Sequence, residues 1–282
     1  MSSSDLDPTD AVRWRLDLAY DGAAFAGFAP QPGRETVVGA LGEAIARYLR
    51  LDEPPFIVGA GRTDAGVHAF AQVISLDLAR SSVDEAGIAS MLRSINHQLR
   101  GRVVVREARA IPGFHARFDA TWRGYRYLVA PGPSLAATNA LAWPVEGALD
   151  LAAMNDAAAL VLGVHDFRAF CKRPPDKTAD EPLVRHVYEA RWRTARDELA
   201  LGVAGEYLVF WIRANAFCHN QVRRLVGSLV AVGRGTLTLA HFEAHLAAGV
   251  AEGLPSPAPA SGLALCAVGY DERHGGPSGR SM

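Results

Sequence analysis

Apolar and polar side chains alternate along residues 12–20, and this two-residue period predicts a strand with one buried face. The apolar positions are Val12, Trp14, Leu16, Leu18 and Tyr20. A helical period follows Thr36, which is a residue type typical of a helix N-cap. Residues 206–214 are apolar on both faces, which favours a central strand of a sheet.

The remaining pattern mixes strands and helices without a strict βαβ rhythm, and it therefore predicts an α+β fold. The other predicted strands are 56–58, 70–77, 102–108, 121–130, 184–194 and 263–270, and the other predicted helices are 84–99, 150–162, 217–233 and 239–249. We expect two similar halves, residues 11–114 and 115–270, with flexible tails at 1–10 and 271–282.

Composition predicts a globular protein, because 49% of the 282 residues are hydrophobic. The first residues lack the basic and apolar regions of a secretory signal, and no apolar run reaches membrane-spanning length, so we expect a cytoplasmic protein without a membrane partner. Cys171, Cys218 and Cys266 lie far apart in the sequence. Their spacing matches neither a zinc site nor a disulfide framework, and we interpret them as ordinary buried thiols without a structural metal.

Positive charge is concentrated in one segment, although the formal net charge of the chain is −1. Seven arginines lie between residues 100 and 126, against only Glu107 and Asp119. The guanidinium group suits phosphates and stacks on bases, so the segment is compatible with an RNA-facing surface. A solvated face without a ligand is the alternative.

Candidate chemistry is concentrated in residues 61–68, Gly-Arg-Thr-Asp-Ala-Gly-Val-His. Asp64 lies between Arg62 and Gly66, and such a loop can present an ionised carboxylate beside a cation while the glycine allows close backbone approach. This arrangement suits a nucleophilic or basic carboxylate. An aspartate that only hydrogen-bonds its own turn is the alternative.

The 61–68 string resembles the catalytic loop of the TruA family of tRNA pseudouridine synthases. Further matches follow in the family's order and run from about residue 12 to Tyr270. They are Tyr20-Asp21-Gly22 with Phe25 and Gly27, Phe114-His115-Ala116-Arg117-Phe118, Tyr125-Arg126-Tyr127, His165-Asp166-Phe167, and Asn215-Ala216-Phe217 with His219, Val222 and Arg223. The resemblance implies two similar α+β halves that share a central, mainly antiparallel sheet, a basic cleft between them, and a homodimer.

The resemblance also implies roles for individual residues. It makes Asp64 the catalytic carboxylate, assigns Arg62, Tyr125, Arg223 and Leu263 to substrate binding, and requires neither a small-molecule cofactor nor a metal. The implied substrate is tRNA, with modification of uridines at positions 38–40 of the anticodon stem-loop. The arginines considered as phosphate contacts are Arg102, Arg106, Arg117, Arg123 and Arg126.

The chain departs from the family pattern at two positions. Phe28 stands where tryptophan is common, and Val38 stands where glutamine is usual, so the substrate range can differ. The sequence leaves open whether the carboxylate adds to the base, attacks the sugar or assists elimination. Two other functions also remain open: a non-catalytic RNA-binding or RNA-folding protein on the same scaffold, and an aspartate-nucleophile hydrolase of a small molecule.

Overall fold

A computed structural model describes residues 11–80, 85–132, 140–173, 178, 181–196 and 206–279. Its strands are β1 Ala11–Tyr20, β2 Val58–Gly59, β3 His68–Ala79, β4 Val103–Ala110, β5 Trp122–Pro131, β6 Trp143–Val145, β7 Gly163–Asp166, β8 Val184–Arg196, β9 Glu206–Ala214, β10 Leu263–Gly269 and β11 Ser278–Gly279. Its helices are α1 Val37–Leu49, α2 Glu85–Leu99, α3 Leu151–Ala159, α4 Gln221–Gly233 and α5 Leu239–Ala248. The strands pair mostly in the antiparallel sense and the helices pack beside them, so the predicted α+β class is confirmed.

The chain divides into two compact units. The first contains the described residues through Thr121 together with those from Leu265 onward, and the second is Trp122–Ala264. No helix among the described residues is both long and apolar enough to cross a membrane. The predicted tail at 1–10 lies outside the described residues, as do residues 280–282 of the other predicted tail.

In the first unit, β1 lies between β4 and β3 and pairs with both in the antiparallel sense. Strand β2 pairs with β3 and delivers the chain to residues 60–67, and β3 carries the chain away from them. Helix α1 begins after Thr36, whose side chain accepts a hydrogen bond from Gly39 N, so the predicted cap is confirmed. Helices α1 and α2 pack together, with Ile45 and Met91 fully buried.

The polar face of β1 is more buried than its alternation predicts. Arg15 is 1% exposed, and its guanidinium group lies 4.8 Å from the centre of the Tyr270 ring. The same group donates hydrogen bonds to Asp17, to His274 O at 2.5 Å and to Gly276 O at 2.9 Å. Residues 271–279, predicted as part of a flexible tail, therefore supply acceptors for a buried cation, and β11 within them pairs with β10.

In the second unit, β9 lies between β5 and β8, and β7 pairs with the other side of β8. All these pairs are antiparallel, while β6 adds to β5 in the parallel sense. The predicted central position of residues 206–214 is confirmed, and Val209, Phe210 and Ile212 are fully buried. Helix α3 packs against β8 and against α4. Strand β5, the start of α4 and the start of β10 carry the candidate substrate-binding residues of this unit, which are Tyr125, Arg223 and Leu263.

Candidate active site

Residues 60–67 connect β2 to β3 and are held at several backbone positions. Ala60 N donates to Val73 O at 2.8 Å, and Gln72 Nε2 donates to Gly61 O at 2.8 Å. Thr63 O accepts from Phe28 N at 3.1 Å. The loop therefore has a defined backbone path, because strand β3 and the segment that follows β1 both bond to it.

Thr63, which lies between Arg62 and Asp64, is held by a buried hydrogen bond between its hydroxyl group and that of Tyr20. The Tyr20 and Thr63 hydroxyl oxygens are 2.7 Å apart, and Gln72 Nε2 donates to the same phenol at 3.4 Å. Burial raises the pKa of Tyr20 to about 12, although the hydrogen bonds with Thr63 and Gln72 oppose this shift. The phenol therefore stays protonated at neutral pH and keeps the hydroxyl pair intact.

Two glycines of the segment after β1 allow that segment to lie against the loop. A Cβ on Gly22 would be 2.1 Å from Val67 O, a distance that no side chain can occupy. Gly27 has a φ of +118° and its backbone lies beside Thr63, so a Cβ there would be 3.3 Å from Thr63 O. Both positions require glycine, because one allows no side-chain volume and the other uses a conformation that L-residues rarely adopt.

These contacts determine how the loop presents its charged side chains. Arg62 is exposed, Asp64 is half-buried, and Thr63 between them is buried. Val67 N donates to Asp64 O at 3.1 Å, so a backbone turn forms at the aspartate. This bond joins two backbone groups, so it does not test the alternative in which the Asp64 side chain only hydrogen-bonds its own turn, and Asp64 remains half-buried.

Tyr125 lies on β5 of the second unit, opposite Ile212 of β9. Its side chain is 7% exposed, and its ring meets the edge of the Phe217 ring at a centroid distance of 5.1 Å and an interplanar angle of 89°. An edge-to-face pair of this kind orients both rings. Tyr125 is therefore a fixed aromatic surface rather than a mobile one.

The loop before α4 corrects the predicted helix 217–233. Helix α4 begins at Gln221, because Asn220 has a φ of +64° and cannot continue a helix. Asn215 Oδ1 accepts hydrogen bonds from His186 N at 3.0 Å and Ala216 N at 2.8 Å, which fixes the start of the loop. Phe217 therefore lies in the loop and supports Tyr125, a role that the sequence analysis missed by placing this residue in the helix.

Arg223 lies on the first turn of α4 and is anchored at two points. Its Nε donates to Ala258 O at 2.8 Å, and one terminal nitrogen donates to Asn220 Oδ1 at 3.2 Å. Burial raises the pKa of Tyr127, and the nearby positive charge of Arg223 opposes that shift. The guanidinium group is therefore held in a defined place within the second unit, rather than extended freely into solvent.

Leu263 begins β10 and is 6% exposed. The turn before it lies so close to β5 that a Cβ on Gly262 would be 2.6 Å from the Tyr127 ring. The Tyr127 hydroxyl donates to Pro259 O at 2.8 Å and holds the same segment. Leu263 directly follows residues 258–262, and Arg223 donates a hydrogen bond to Ala258 of the same segment.

The cysteines differ from the sequence interpretation. Cys171 and Cys218 are paired as a disulfide with a Cα–Cα distance of 5.8 Å, and Cys266 is not part of this disulfide. A backbone hydrogen bond of 2.8 Å from Lys172 N to His219 O joins the same two loops. The spacing of the cysteines did not predict this disulfide, because 47 positions separate the two residues in the sequence.

The clustered arginines have different environments. Arg123 is buried and donates to Asn215 O at 2.9 Å, so this guanidinium group holds a backbone turn, and its contact with phosphate stays a prediction. Arg102 pairs with Glu35 at 2.6 Å, and Arg106 donates to Phe70 O at 2.6 Å. These three arginines therefore differ in burial and in their hydrogen-bond partners.

Comparison with known proteins agrees with these motifs. Residues 157–271 match a family model described as tRNA pseudouridine synthase. The chain is 40% identical over 265 residues to tRNA pseudouridine synthase A of Cutibacterium acnes, covering 92% of this chain and 89% of that protein. It is 41% identical to the protein of the same name from Frankia casuarinae, with the same coverage of both chains, and 41% identical to that of Solidesulfovibrio magneticus, covering 92% and 91%.

Proposed function

The chain belongs to the family of tRNA pseudouridine synthases, and we propose on that premise that it modifies uridines 38–40 in the anticodon stem-loop of tRNA with Asp64 as the catalytic carboxylate. The observation that carries this proposal is the Gly61–His68 loop. It matches the family's catalytic string, and contacts from two neighbouring segments hold it while Asp64 stays partly accessible.

The reaction is an isomerisation, so it needs no oxidant and no energy source. The bond from ribose C1′ to uracil N1 breaks, the base turns, and a bond from C1′ to uracil C5 forms, after which the proton on C5 is lost and N1 gains one. Placement and solvation limit the reactivity of an aspartate that acts as a nucleophile or base. The Tyr20–Thr63 pair supplies placement, since it fixes the backbone directly before Asp64.

Arg62 of the first unit and Arg223 of the second are the two cations that the proposal assigns to substrate binding. Arg62 precedes Asp64 by two positions and is exposed, which suits contact with the phosphate-rich substrate and stabilisation of the carboxylate. Arg223 has its position fixed by Ala258 O and Asn220, so its orientation is set before substrate binds. A preorganised cation costs less conformational entropy on binding than a mobile one.

Tyr125 and Leu263 are assigned to the uracil. A ring that is already fixed by Phe217 can stack on a base, which is typically worth about 1–3 kcal/mol. Leu263 supplies an apolar surface from the turn that follows Pro259. A uridine in a stem is inaccessible while stacked, and the proposal therefore includes extrusion of the target nucleotide from the helix.

The proposal places the enzyme in the cytoplasm as a homodimer that acts without an added cofactor. The first experiment measures pseudouridine formation on unmodified tRNA, with no cofactor present, by wild type, Asp64→Asn and the control Asp52→Asn. Asp52 is an exposed aspartate in the same unit and outside residues 61–68, so the control repeats the charge change at another position of the sequence. Product from wild type and Asp52→Asn, but none from Asp64→Asn with tRNA affinity within a few-fold, supports the assignment.

Other outcomes distinguish the alternatives. Tight tRNA binding without product from wild type would favour a non-catalytic RNA-binding protein. A transcript with cytidine at positions 38, 39 and 40 together tests the site within the tRNA. Product that persists on this transcript contradicts the anticodon-stem assignment. Light scattering at enzyme-assay concentration tests the homodimer.

A further inference from the structure

Phe118 is a large apolar side chain that is 75% exposed, in the segment between β4 and β5. Its neighbours Phe114 and Ala116 are fully buried, so the segment is not loosely attached to the first unit. Isolated exposed apolar residues are common and need no functional explanation. The surroundings of Phe118 are what distinguish it, because both its backbone and its ring are held in place.

The backbone around Phe118 is fixed at every amide from 115 to 119. His115 N donates to Asp119 Oδ2 at 2.8 Å, and Asp119 N donates to His115 O at 3.0 Å. Arg117 N and Phe118 N both donate to His115 Nδ1, at 3.2 and 3.1 Å. Ala116 N donates to the buried Ser75 hydroxyl at 3.1 Å.

A second anchor comes from the end of the last long strand. The Tyr270 hydroxyl donates to Ala116 O at 2.6 Å, and the Tyr270 ring meets the edge of the Phe114 ring at 5.2 Å. The peptide two positions before Phe118 is thus bonded through both its N–H and its carbonyl group. A segment held in this way presents its exposed side chain with little conformational freedom left to lose on binding.

The Phe118 ring is also supported by other side chains. The His115 imidazole stacks on it with a centroid distance of 4.2 Å and an interplanar angle of 24°. The Arg117 guanidinium carbon lies 5.7 Å from the ring centre. One face of the ring is therefore backed by an imidazole, and a positive charge lies beside it, while most of the side chain remains open to solvent.

We propose that Phe118, backed by His115, is a stacking platform for an unpaired base of the RNA substrate, and that Arg117 contacts an adjacent phosphate. Proteins recognise single-stranded RNA by stacking its bases on aromatic rings and on guanidinium planes, and a cation beside the ring matches the charge of the RNA backbone. This inference rests on the proposed function, since it assigns a second contact to the same RNA. The contact lies in a segment separate from the Gly61–His68 loop.

The test compares two phenylalanines of equal exposure. Phe56 is 76% exposed in the same unit, so Phe56→Ala removes the same side chain from another place on the surface. Both substitutions are made in an Asp64→Asn background, and the dissociation constant for unmodified tRNA is measured by filter binding, so that the result does not depend on turnover. Thermal unfolding of each variant establishes that it is folded.

Phe118→Ala is expected to weaken tRNA binding about 5- to 150-fold, the range that follows from 1–3 kcal/mol for one stacked base. Phe118→Trp should retain wild-type affinity, and Phe56→Ala should bind as the background does. Arg117→Ala should reduce the slope of log Kd against log salt by about one, while Phe118→Ala leaves that slope unchanged, because only the arginine releases a counterion.

Three results would overturn the inference. The first is unchanged affinity in Phe118→Ala, and the second is an equal loss in Phe56→Ala. The third is a change in oligomeric state with Phe118→Ala at constant RNA affinity, which would assign the ring to a contact between two copies of the chain. Loss of the inference in any of these ways leaves pseudouridine formation by wild type intact, so the proposed function is judged separately.

Discussion

The hydroxyl pair of Tyr20 and Thr63 gives the sharpest test of how the loop around Asp64 is held. Tyr20→Phe removes a buried 2.7 Å hydrogen bond and leaves the hydroxyl of the buried residue Thr63 without this partner. Loss of a buried hydrogen-bond partner typically costs about 1–3 kcal/mol. We expect the free energy of unfolding at pH 8 to fall by that amount. We also expect kcat to fall, because Thr63 directly precedes Asp64.

The raised pKa of Tyr20 predicts how the stability difference between wild type and Tyr20→Phe depends on pH. Burial raises the pKa of Tyr20 to about 12, above the usual value of 10, so the folded wild type holds its proton where the unfolded chain releases it. The stability that this proton contributes is complete below pH 10 and is lost as the pH rises toward 12. The loss is about 1.4 kcal/mol per pH unit, or roughly 2–3 kcal/mol in all. Tyr20→Phe lacks this loss, so the gap between the two proteins should narrow above pH 10.

The assay is urea unfolding of wild type and Tyr20→Phe at intervals from pH 8 to 11.5, alongside pseudouridine formation at pH 8. Tyr48→Phe is the control, because Tyr48 lies in α1 of the same unit and is half-exposed. A gap that stays constant up to pH 11.5 would refute the raised pKa. Unchanged stability and unchanged kcat in Tyr20→Phe would refute the structural role of the hydroxyl pair.

Gly22→Ala should inactivate the enzyme and lower its stability by about 1–3 kcal/mol or more, because the new Cβ would lie 2.1 Å from Val67 O. Gly33→Ala has open space around its Cβ but a φ of +70°, so it should lose only the roughly 1–2 kcal/mol of a left-handed residue and retain activity in the same assay. Phe217→Ala should lower kcat and loosen the Tyr125 ring, because it removes an aromatic pair worth about 0.5–1.5 kcal/mol. If kcat and the near-ultraviolet circular dichroism spectrum are both unchanged, Phe217 does not hold the Tyr125 ring. Tyr125→Phe should cost less activity than Tyr125→Ala if stacking is its main role, whereas equal losses in kcat would point to the hydroxyl group. Affinity for tRNA should fall steeply as salt is raised from 50 to 200 mM, and a flat response would argue against several phosphate contacts.

Local patterns in the sequence predicted most of the secondary structure. Alternation predicted β1, the threonine predicted the start of α1, and the doubly apolar run predicted the central β9. Each signal acts within a few residues, through side-chain direction or a single capping bond. The helix predicted from 217 failed in its first four positions, because its apolar spacing continued through a loop whose conformation is set by Asn220.

The motifs, in their order, also identified the family, and the relatives confirm it. The sequence alone thus determined the α+β class, the family and the loop that contains Asp64, because these depend on local pattern and on residue identity. The tertiary structure decided which residues support that loop and which remain accessible. Tyr20 meets Thr63 across 43 positions, Cys171 pairs with Cys218 across 47, and Phe118 is exposed while Phe114 is buried. Contacts between residues that are so distant in the sequence depend on how strands and loops pack. A pattern that extends over only a few residues does not predict that packing.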